Sequence, residues 1–147
     1  MELINFDTKK SLEELEVLEV RISQRGISMV SRSNKLRKKA LKDFSTEELR
    51  SMIGQNSSLK YLVPLAINRL HEDSLLKGEG YEGDLLNAVL TVEKKFWIQD
   101  LKGCIPMLDN IIEKTLSMAN AKPNEYAKFL QNSAGAIKIF KTNVGLI

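Results

Sequence analysis

Apolar residues recur at helical spacing along most of this chain, with polar residues between them. From Ser11 to about Ile22, leucines and other apolar side chains recur every three or four residues, while glutamates occupy the other face. This is the pattern of an amphipathic helix. The same spacing predicts further helices over Thr46–Gly54, Leu59–Glu72, Leu85–Gln99, Ile105–Asn120 and Asn124 to about Lys141. We therefore expect an all-α protein, a single compact domain of about five to six helices over residues 1–147.

Several residue types mark where these helices begin and end. Ser45 and Glu48 have the spacing of a capping box, in which each side chain binds the backbone N–H of the other. Gly54 is placed for a left-handed helix end before a polar turn. Asp84 is a candidate N-cap for the helix Leu85–Gln99, which has the widest apolar stripe and is therefore expected at the centre.

Proline and glycine predict interruptions. Pro64 lacks a backbone N–H and lies within the helix Leu59–Glu72, which predicts a kink or a helix restart at Leu62–Pro64. Pro123 lies beside the start of the last helix, and Gly135 is a candidate interruption of it. Between Ser23 and Phe44 the periodicity weakens, so we expect irregular structure there, with extended residues near 26–31.

Composition is typical of a globular protein. Of the 147 residues, 43% are hydrophobic and 28% are charged, which argues against extended disorder. The longest nearly apolar stretch, Tyr61–Ile67, is far shorter than the ~20 residues that span a bilayer. The acidic start is unlike the positively charged beginning of a secretory signal. We expect a cytoplasmic protein without a membrane partner.

The net charge of +3 is unevenly distributed. Residues 32–50 carry seven basic and three acidic groups, a local charge of +4. Such a segment can bind phosphate, but it has no interleaved aromatic residues and precedes no recognition helix, which favours a solvated segment. We call the following six residues the basic segment: Arg32, Lys35, Arg37, Lys38, Lys39 and Lys42.

Residues 72–84, the acidic loop, have the opposite charge. They carry a local charge of −4, from five carboxylates and Lys77, and include Tyr81. Exposed carboxylates around an aromatic side chain can steer a basic protein and anchor it. The alternative is a solvated turn in which Asp84 caps a helix and Tyr81 packs. Both interpretations stay open from these residues alone.

Candidate catalytic and metal-binding residues are few. Cys104 is the only cysteine and His71 the only histidine, which excludes an intrachain disulfide and disfavours a Cys/His zinc site. We expect Cys104 to be a small side chain near the core and His71 to lie at a helix C-terminus, rather than to act as a reactive thiol and a general base.

Two further patterns carry little chemical signal. The pairs Glu47/Glu48 and Glu13/Glu14 are sequence neighbours, whose side chains point about 100° apart on a helix and do not converge on a substrate. Gly78, Gly80 and Gly83 have a Gly-x-Gly-x-x-Gly spacing, but no strand precedes them, so a dinucleotide site is not expected. We predict no catalytic residue, no metal site and no cofactor.

Several segments between Leu36 and Trp97 form a recognisable signature. They are Leu36-Arg37-Lys38-Lys39, Leu41-Lys42-Asp43-Phe44, Glu48-Leu49-Arg50, Met52-Ile53-Gly54-Gln55, Leu59-Lys60-Tyr61-Leu62-Val63-Pro64-Leu65-Ala66, Gly83-Asp84-Leu85-Leu86 and Ala88-Val89-Leu90. Together they resemble one family of small bacterial proteins, the immunity proteins of contact-dependent growth inhibition (CDI) systems. Most of these residues are apolar or capping, so the signature encodes mainly the scaffold.

The resemblance implies a cytoplasmic protein that binds the toxin domain delivered by a neighbouring cell and blocks it without chemistry of its own. Toxins of such systems are commonly nucleases, whose electropositive active sites an acidic surface complements. The toxin-binding residues expected on this basis are Glu72, Asp73, Glu79, Tyr81, Glu82 and Asp84. No small-molecule substrate and no direct nucleic-acid contact are expected. The alternative functions are a small helical nucleic-acid-associated regulator that uses the basic segment and, less favoured, an enzyme.

Overall fold

The computed structural model describes residues 3–16, 34–99 and 103–146, about two-thirds of which are helical and none of which forms a strand. The all-α prediction is therefore confirmed. Helix α1 is described over residues 12–16, and a 3-10 turn at Leu41–Asp43 follows α2. The remaining helices are α2 (Asn34–Arg37), α3 (Thr46–Gly54), α4 (Leu59–Glu72), α5 (Asp84–Leu90), α6 (Lys94–Ile98), α7 (Cys104–Ala121) and α8 (Ala127–Asn143).

Helix α5, the first part of the segment predicted as the central helix Leu85–Gln99, lies at the centre of the described helices. It packs against α3, α4 and α8, and α7 covers the other side of α4 and α8. Leucines of several helices are completely buried, and the Trp97 ring of α6 packs edge-on against Phe140 of α8, with ring centroids 5.2 Å apart. Burying such large side chains is the main favourable term in folding. The following residues have no exposed surface: Leu49, Leu62, Leu85, Leu86, Leu108 and Phe140.

Helix α4 runs through Pro64 without the predicted restart. Nine of its fourteen residues are buried, Pro64 among them. A proline within a helix removes one backbone hydrogen bond. Burial of the flanking residues Leu62, Val63 and Ile67, which are wholly enclosed, offsets that loss.

The predicted helix Leu85–Gln99 is wrong, because the chain forms two helices there. The Thr91 hydroxyl donates to the Asn87 carbonyl oxygen at 2.9 Å. Val92 then turns into the core, and Asn56 Oδ1 accepts the Glu93 N–H at 3.0 Å at the start of α6. A side chain from another part of the chain thus supplies the first contact of the second helix, which periodicity cannot reveal.

At the two ends of α3, the structure confirms the predicted cap at Ser45 and corrects the predicted left-handed end at Gly54. The Ser45 capping box is present, with Ser45 Oγ accepting the Glu48 N–H at 3.0 Å and Glu48 Oε1 accepting the Ser45 N–H at 2.8 Å. Gly54 does not take the left-handed conformation. Asn56 does, with φ 56°, because asparagine tolerates this region better than other non-glycine residues.

A second capping box was not predicted. Ser11 Oγ accepts the Glu14 N–H at 3.2 Å, and Glu14 Oε1 accepts the Ser11 N–H at 3.0 Å. The same Ser-x-x-Glu spacing was the available signal. At the other end of the chain, α8 is continuous through Gly135, and it begins at Ala127, after a turn that contains Pro123.

Part of the N-terminal prediction lies outside the described residues. This applies to Val17, Leu18 and Ile22 of the first helix and to the irregular segment up to residue 33. The rest of that segment, predicted to be irregular, contains α2 and the 3-10 turn. The Leu41 N–H donates to the Lys10 carbonyl oxygen at 3.0 Å and so joins this segment to the N-terminal residues. None of the described helices is long and apolar enough to cross a membrane.

Candidate functional site

The acidic loop connects α4 to α5 and holds most of the predicted binding residues at the surface. Asp84 differs from the other five: its side chain is only 3% exposed, and it lies beneath the loop. The exposed members are Glu72, Asp73, Glu79, Tyr81 and Glu82. With Lys77, these exposed groups carry a charge of −3.

Asp84 is not the N-cap of α5. Gly83 takes that position, with φ 89°, and Asp84 is the first helical residue. The Asp84 carboxylate instead accepts backbone hydrogen bonds from Gly78 at 2.7 Å, Gly80 at 2.9 Å and Tyr81 at 3.2 Å. Hydrogen bonds to a charged acceptor are stronger than neutral ones. One buried carboxylate therefore holds the loop backbone in a fixed shape.

The glycine spacing is explained by this close approach. A Cβ atom at Gly78 would lie 2.6 Å from Glu47 Oε1, and one at Gly83 would lie 3.0 Å from the Phe129 ring. Backbone N–H groups of a glycine-rich loop commonly bind phosphate. Here the chain's own carboxylates, Asp84 and Glu47, already occupy them.

Glu47 of α3 is the second carboxylate that holds the loop. Its Oε1 atom accepts the Glu79 N–H at 2.8 Å and Arg50 Nε at 2.7 Å, and Arg50 Nη2 binds Oε2. The hydrogen bond from Arg50, with a smaller contribution from the Glu79 N–H, lowers the pKa of Glu47 to about 2. The same hydrogen bond raises the pKa of Arg50. Both groups are thus charged at neutral pH.

Glu48 points away from Glu47, as the helical geometry predicts. It accepts from Lys39 Nζ at 2.8 Å and closes the capping box with Ser45. The hydrogen bond from Lys39 is the main reason that the pKa of Glu48 is lowered. The two neighbouring carboxylates therefore stabilise two different connections and do not form a catalytic pair.

Tyr81 is held at both ends. Its backbone N–H binds Asp84, and its hydroxyl oxygen accepts Asn87 Nδ2 at 2.8 Å. Asn87 is buried in α5 and also donates to the carbonyl oxygen of Asn132 in α8, at 3.3 Å. Tyr81 as a whole remains 37% exposed. Tyr81 is therefore an exposed aromatic side chain in a fixed position.

An open depression of about 390 Å³ lies beside Tyr81, between α3, the acidic loop, α5 and α8. Small residues contribute much of its wall. The residues around it are Arg50, Gly54, Gly80, Tyr81, Asp84, Asn87, Ala88, Thr91, Asn132 and Ala136.

Much of the charge of the basic segment is paired within the protein. Arg37 binds Glu16, Lys39 binds Glu48, and Lys42 lies 3.4 Å from Asp43. Arg32 lies outside the described residues. Three of the five described side chains of the segment are therefore paired, while Lys35 and Lys38 remain exposed to solvent.

Cys104 and His71 occupy the positions expected of them. Cys104 is buried at the first residue of α7, and His71 is exposed in the last turn of α4. Within residues 3–16, 34–99 and 103–146, no group of three or more histidine, cysteine, aspartate or glutamate side chains is arranged to hold a metal ion.

Sequence reasoning missed three residues that shape this surface: Glu47, Arg50 and Asn87. The i, i+3 spacing of Glu47 and Arg50 was a visible signal for an ion pair on a helix. Nothing in the sequence indicated that this pair would bind the acidic loop, 32 residues away. For Asn87, the only sequence signal of a special role was that a polar residue lies on an apolar helix face.

One comparison with known proteins covers most of this surface. Comparisons with curated proteins and with solved structures gave no significant match. A family model described as CDI immunity proteins matches residues 14–104, more than half of the chain, and the match includes α3, α4, α5 and the acidic loop. The chain therefore belongs to the family of CDI immunity proteins.

Proposed function

We propose that this protein binds the toxin domain of a CDI effector in the cytoplasm through the surface around the acidic loop. The observation that carries this proposal is the fixed shape of the loop, which Asp84 and Glu47 hold from below. A loop that is already ordered loses little conformational entropy when a partner binds. The contact residues in this proposal are Glu72, Asp73, Glu79, Tyr81 and Glu82, and Asp84 acts by shaping the loop.

Charge supports a basic partner. Glu47 and Arg50 neutralise each other, whereas the side chains of Glu79 and Glu82 are exposed on the loop. Exposed carboxylates raise the association rate with a positively charged surface and select against acidic partners. A nuclease active site is such a surface, since it must hold phosphate groups. We therefore propose a nuclease toxin, neutralised by binding and without catalysis by this chain.

Tyr81 supplies the anchor in this proposal. Tyrosines with a fixed side chain are common hot spots at protein interfaces, because they bury a large area at low entropic cost. A specific interface nevertheless covers about 800 Å² on each partner, more than a single loop offers. The neighbouring end of α3 and the middle of α8 must therefore contribute to the contact.

The test uses the cognate toxin domain, titrated into the purified protein by calorimetry. Replacing Glu79, Tyr81 and Glu82 together by alanine should weaken binding by at least about tenfold, since a central tyrosine alone can contribute that much. Glu79→Gln with Glu82→Gln should mainly slow association and reduce its dependence on salt.

A matched control removes the same charge elsewhere. Glu13→Gln with Glu125→Gln changes two exposed carboxylates, on α1 and in the turn before α8, and should leave the affinity near that of the unmodified chain. Full affinity in the triple alanine variant would remove the acidic loop from the interface. An absence of binding and of growth protection by the unmodified chain would contradict the proposed function itself.

A further inference from the structure

The depression beside Tyr81 has a chemical character of its own. Gly54, Ala88 and Ala136 contribute small or absent side chains to its wall, so the surface is concave between α3, α5 and α8. Part of this wall comes from Asn132 and Ala136, which lie on α8, beyond the residues matched by the family model.

Hydrogen-bond donors line this depression. Asn87 Nδ2 donates to the Asn132 carbonyl oxygen, which can only accept, and this fixes the orientation of the amide. The same Nδ2 donates to the Tyr81 oxygen, so the Tyr81 O–H is left to donate to another group. Arg50 uses Nε and Nη2 for Glu47, and its guanidinium carries further N–H donors.

Asn87 adds no acceptor to this surface. It is only 7% exposed, and its Oδ1 atom is itself buried, without a hydrogen-bond partner among the described residues, so an occupant of the depression does not reach it. The groups that face an occupant are therefore the donors of Tyr81 and Arg50. A neutral carbonyl oxygen matches these donors, and asparagine and glutamine are the only residues that carry one in the side chain.

The charges around the depression favour an uncharged occupant. Glu47 and Asp84 beside Arg50 give this cluster a net charge of −1, which disfavours a carboxylate. A lysine or arginine would instead lie against the guanidinium of Arg50, which lines the depression. We propose that the depression receives the side-chain amide of an asparagine or glutamine of the toxin domain. This inference rests on the proposed function and specifies one contact within it.

Gly54 allows the depression to be filled without disturbing the fold. A Cβ atom there meets no other atom within 4 Å, and Gly54 ends helix α3. Gly54→Met should fill the space and weaken binding of the cognate toxin domain by about tenfold or more in calorimetry. Gly54→Ala, the matched control, adds no bulk beyond Cβ and should bind within about twofold of the unmodified chain.

Tyr81→Phe tests the donor. It keeps the ring and leaves Asn87 paired with Asn132, but it also removes the oxygen that accepts from Asn87. The affinity should fall about fivefold to tenfold, and this loss should disappear when Tyr81→Phe is combined with Gly54→Met if it comes from the depression. An alanine scan of the toxin should find one asparagine or glutamine at the contact. Replacing that residue by alanine should weaken binding to the unmodified chain but not to the Gly54→Met variant.

The outcomes separate the inference from the proposed function. If Gly54→Met binds as tightly as Gly54→Ala, or if Tyr81→Phe binds like the unmodified chain, the depression does not receive an amide. The proposed function then stands, provided that Glu79→Gln with Glu82→Gln still slows association. Failure of the unmodified chain to bind the toxin domain would overturn both.

Discussion

At the level of single residues, Asp84 and Glu47 are the groups that make the acidic loop a defined surface. Glycine-rich loops commonly direct backbone N–H groups at a phosphate. In this chain the N–H groups of Gly78, Gly80 and Glu79 bind carboxylates of the protein. The loop therefore has its shape before any partner arrives, and the remaining exposed carboxylates determine its charge.

Gly83 is a glycine whose replacement should destabilise the protein, because both its backbone and its surroundings disfavour a side chain. Its φ of 89° is unfavourable for other residues, and an added Cβ would lie 3.0 Å from the Phe129 ring. Gly83→Ala should destabilise the protein by about 2–4 kcal/mol, from backbone strain and overpacking. Gly54→Ala, the control, should stabilise it by about 0.5–1 kcal/mol because alanine favours a helix. Urea denaturation measures both; equal effects of the two substitutions would contradict this account.

At the level of elements, α3 connects three parts of the structure. Its first turn is capped by Ser45 and tied to Lys39, its middle carries the Glu47–Arg50 pair that holds the acidic loop, and Gly54 at its end borders the depression. The geometry of the candidate surface therefore depends on where α3 begins and ends.

The cap of α3 gives a prediction at this level. Ser45→Ala removes the side-chain acceptor for the Glu48 N–H and should lower the free energy of unfolding by about 1 kcal/mol. Ser51→Ala makes the same substitution within α3, where the hydroxyl only accepts a 3.4 Å contact from Gln55, and it should change stability by less than about 0.5 kcal/mol. Thermal unfolding distinguishes them. A loss at Ser51 as large as that at Ser45 would show that the cap is not the cause.

Helical periodicity predicted α3, α4 and α7 closely, because each buries one continuous apolar stripe. It failed between α5 and α6, where both segments are apolar and the break depends on Thr91 and on Asn56 from a distant turn. Local spacing reports which face is buried. It does not report a hydrogen bond from elsewhere in the chain.

At the level of the whole molecule, the fold brings separate segments to one surface. The acidic loop, α3 and α8 meet around Tyr81, whose hydroxyl oxygen accepts a hydrogen bond from α5. The family match covers the loop, α3 and α5, while the α8 wall of the depression lies outside it. The candidate surface thus combines a part that is shared with the family model and a part beyond the match.

The lowered pKa of Glu47 predicts that the stability of the protein falls at acidic pH. The pKa of Glu47 falls from 4.5 to about 2 in the folded protein, so its stabilising contribution is complete above about pH 4.5 and is lost as the pH falls towards 2. In Glu47→Gln the free energy of unfolding should therefore fall less steeply over this pH range than in the unmodified chain. Urea denaturation at several pH values measures this. Arg50→Gln should have the same effect, because it removes the main cause of the lowered pKa. Parallel curves for the three proteins would contradict this assignment.

The sequence by itself determined the helical class, the capped start of α3, the acidic character of the loop and the family. Each of these depends on local spacing, on composition or on a contiguous signature. Only the tertiary structure decided that Asp84 lies beneath the loop, that Glu47 reaches Glu79, and that Asn87 fixes Tyr81. The physical reason is that a charged or polar side chain binds whichever backbone group packing brings near it, and that partner can lie anywhere along the chain.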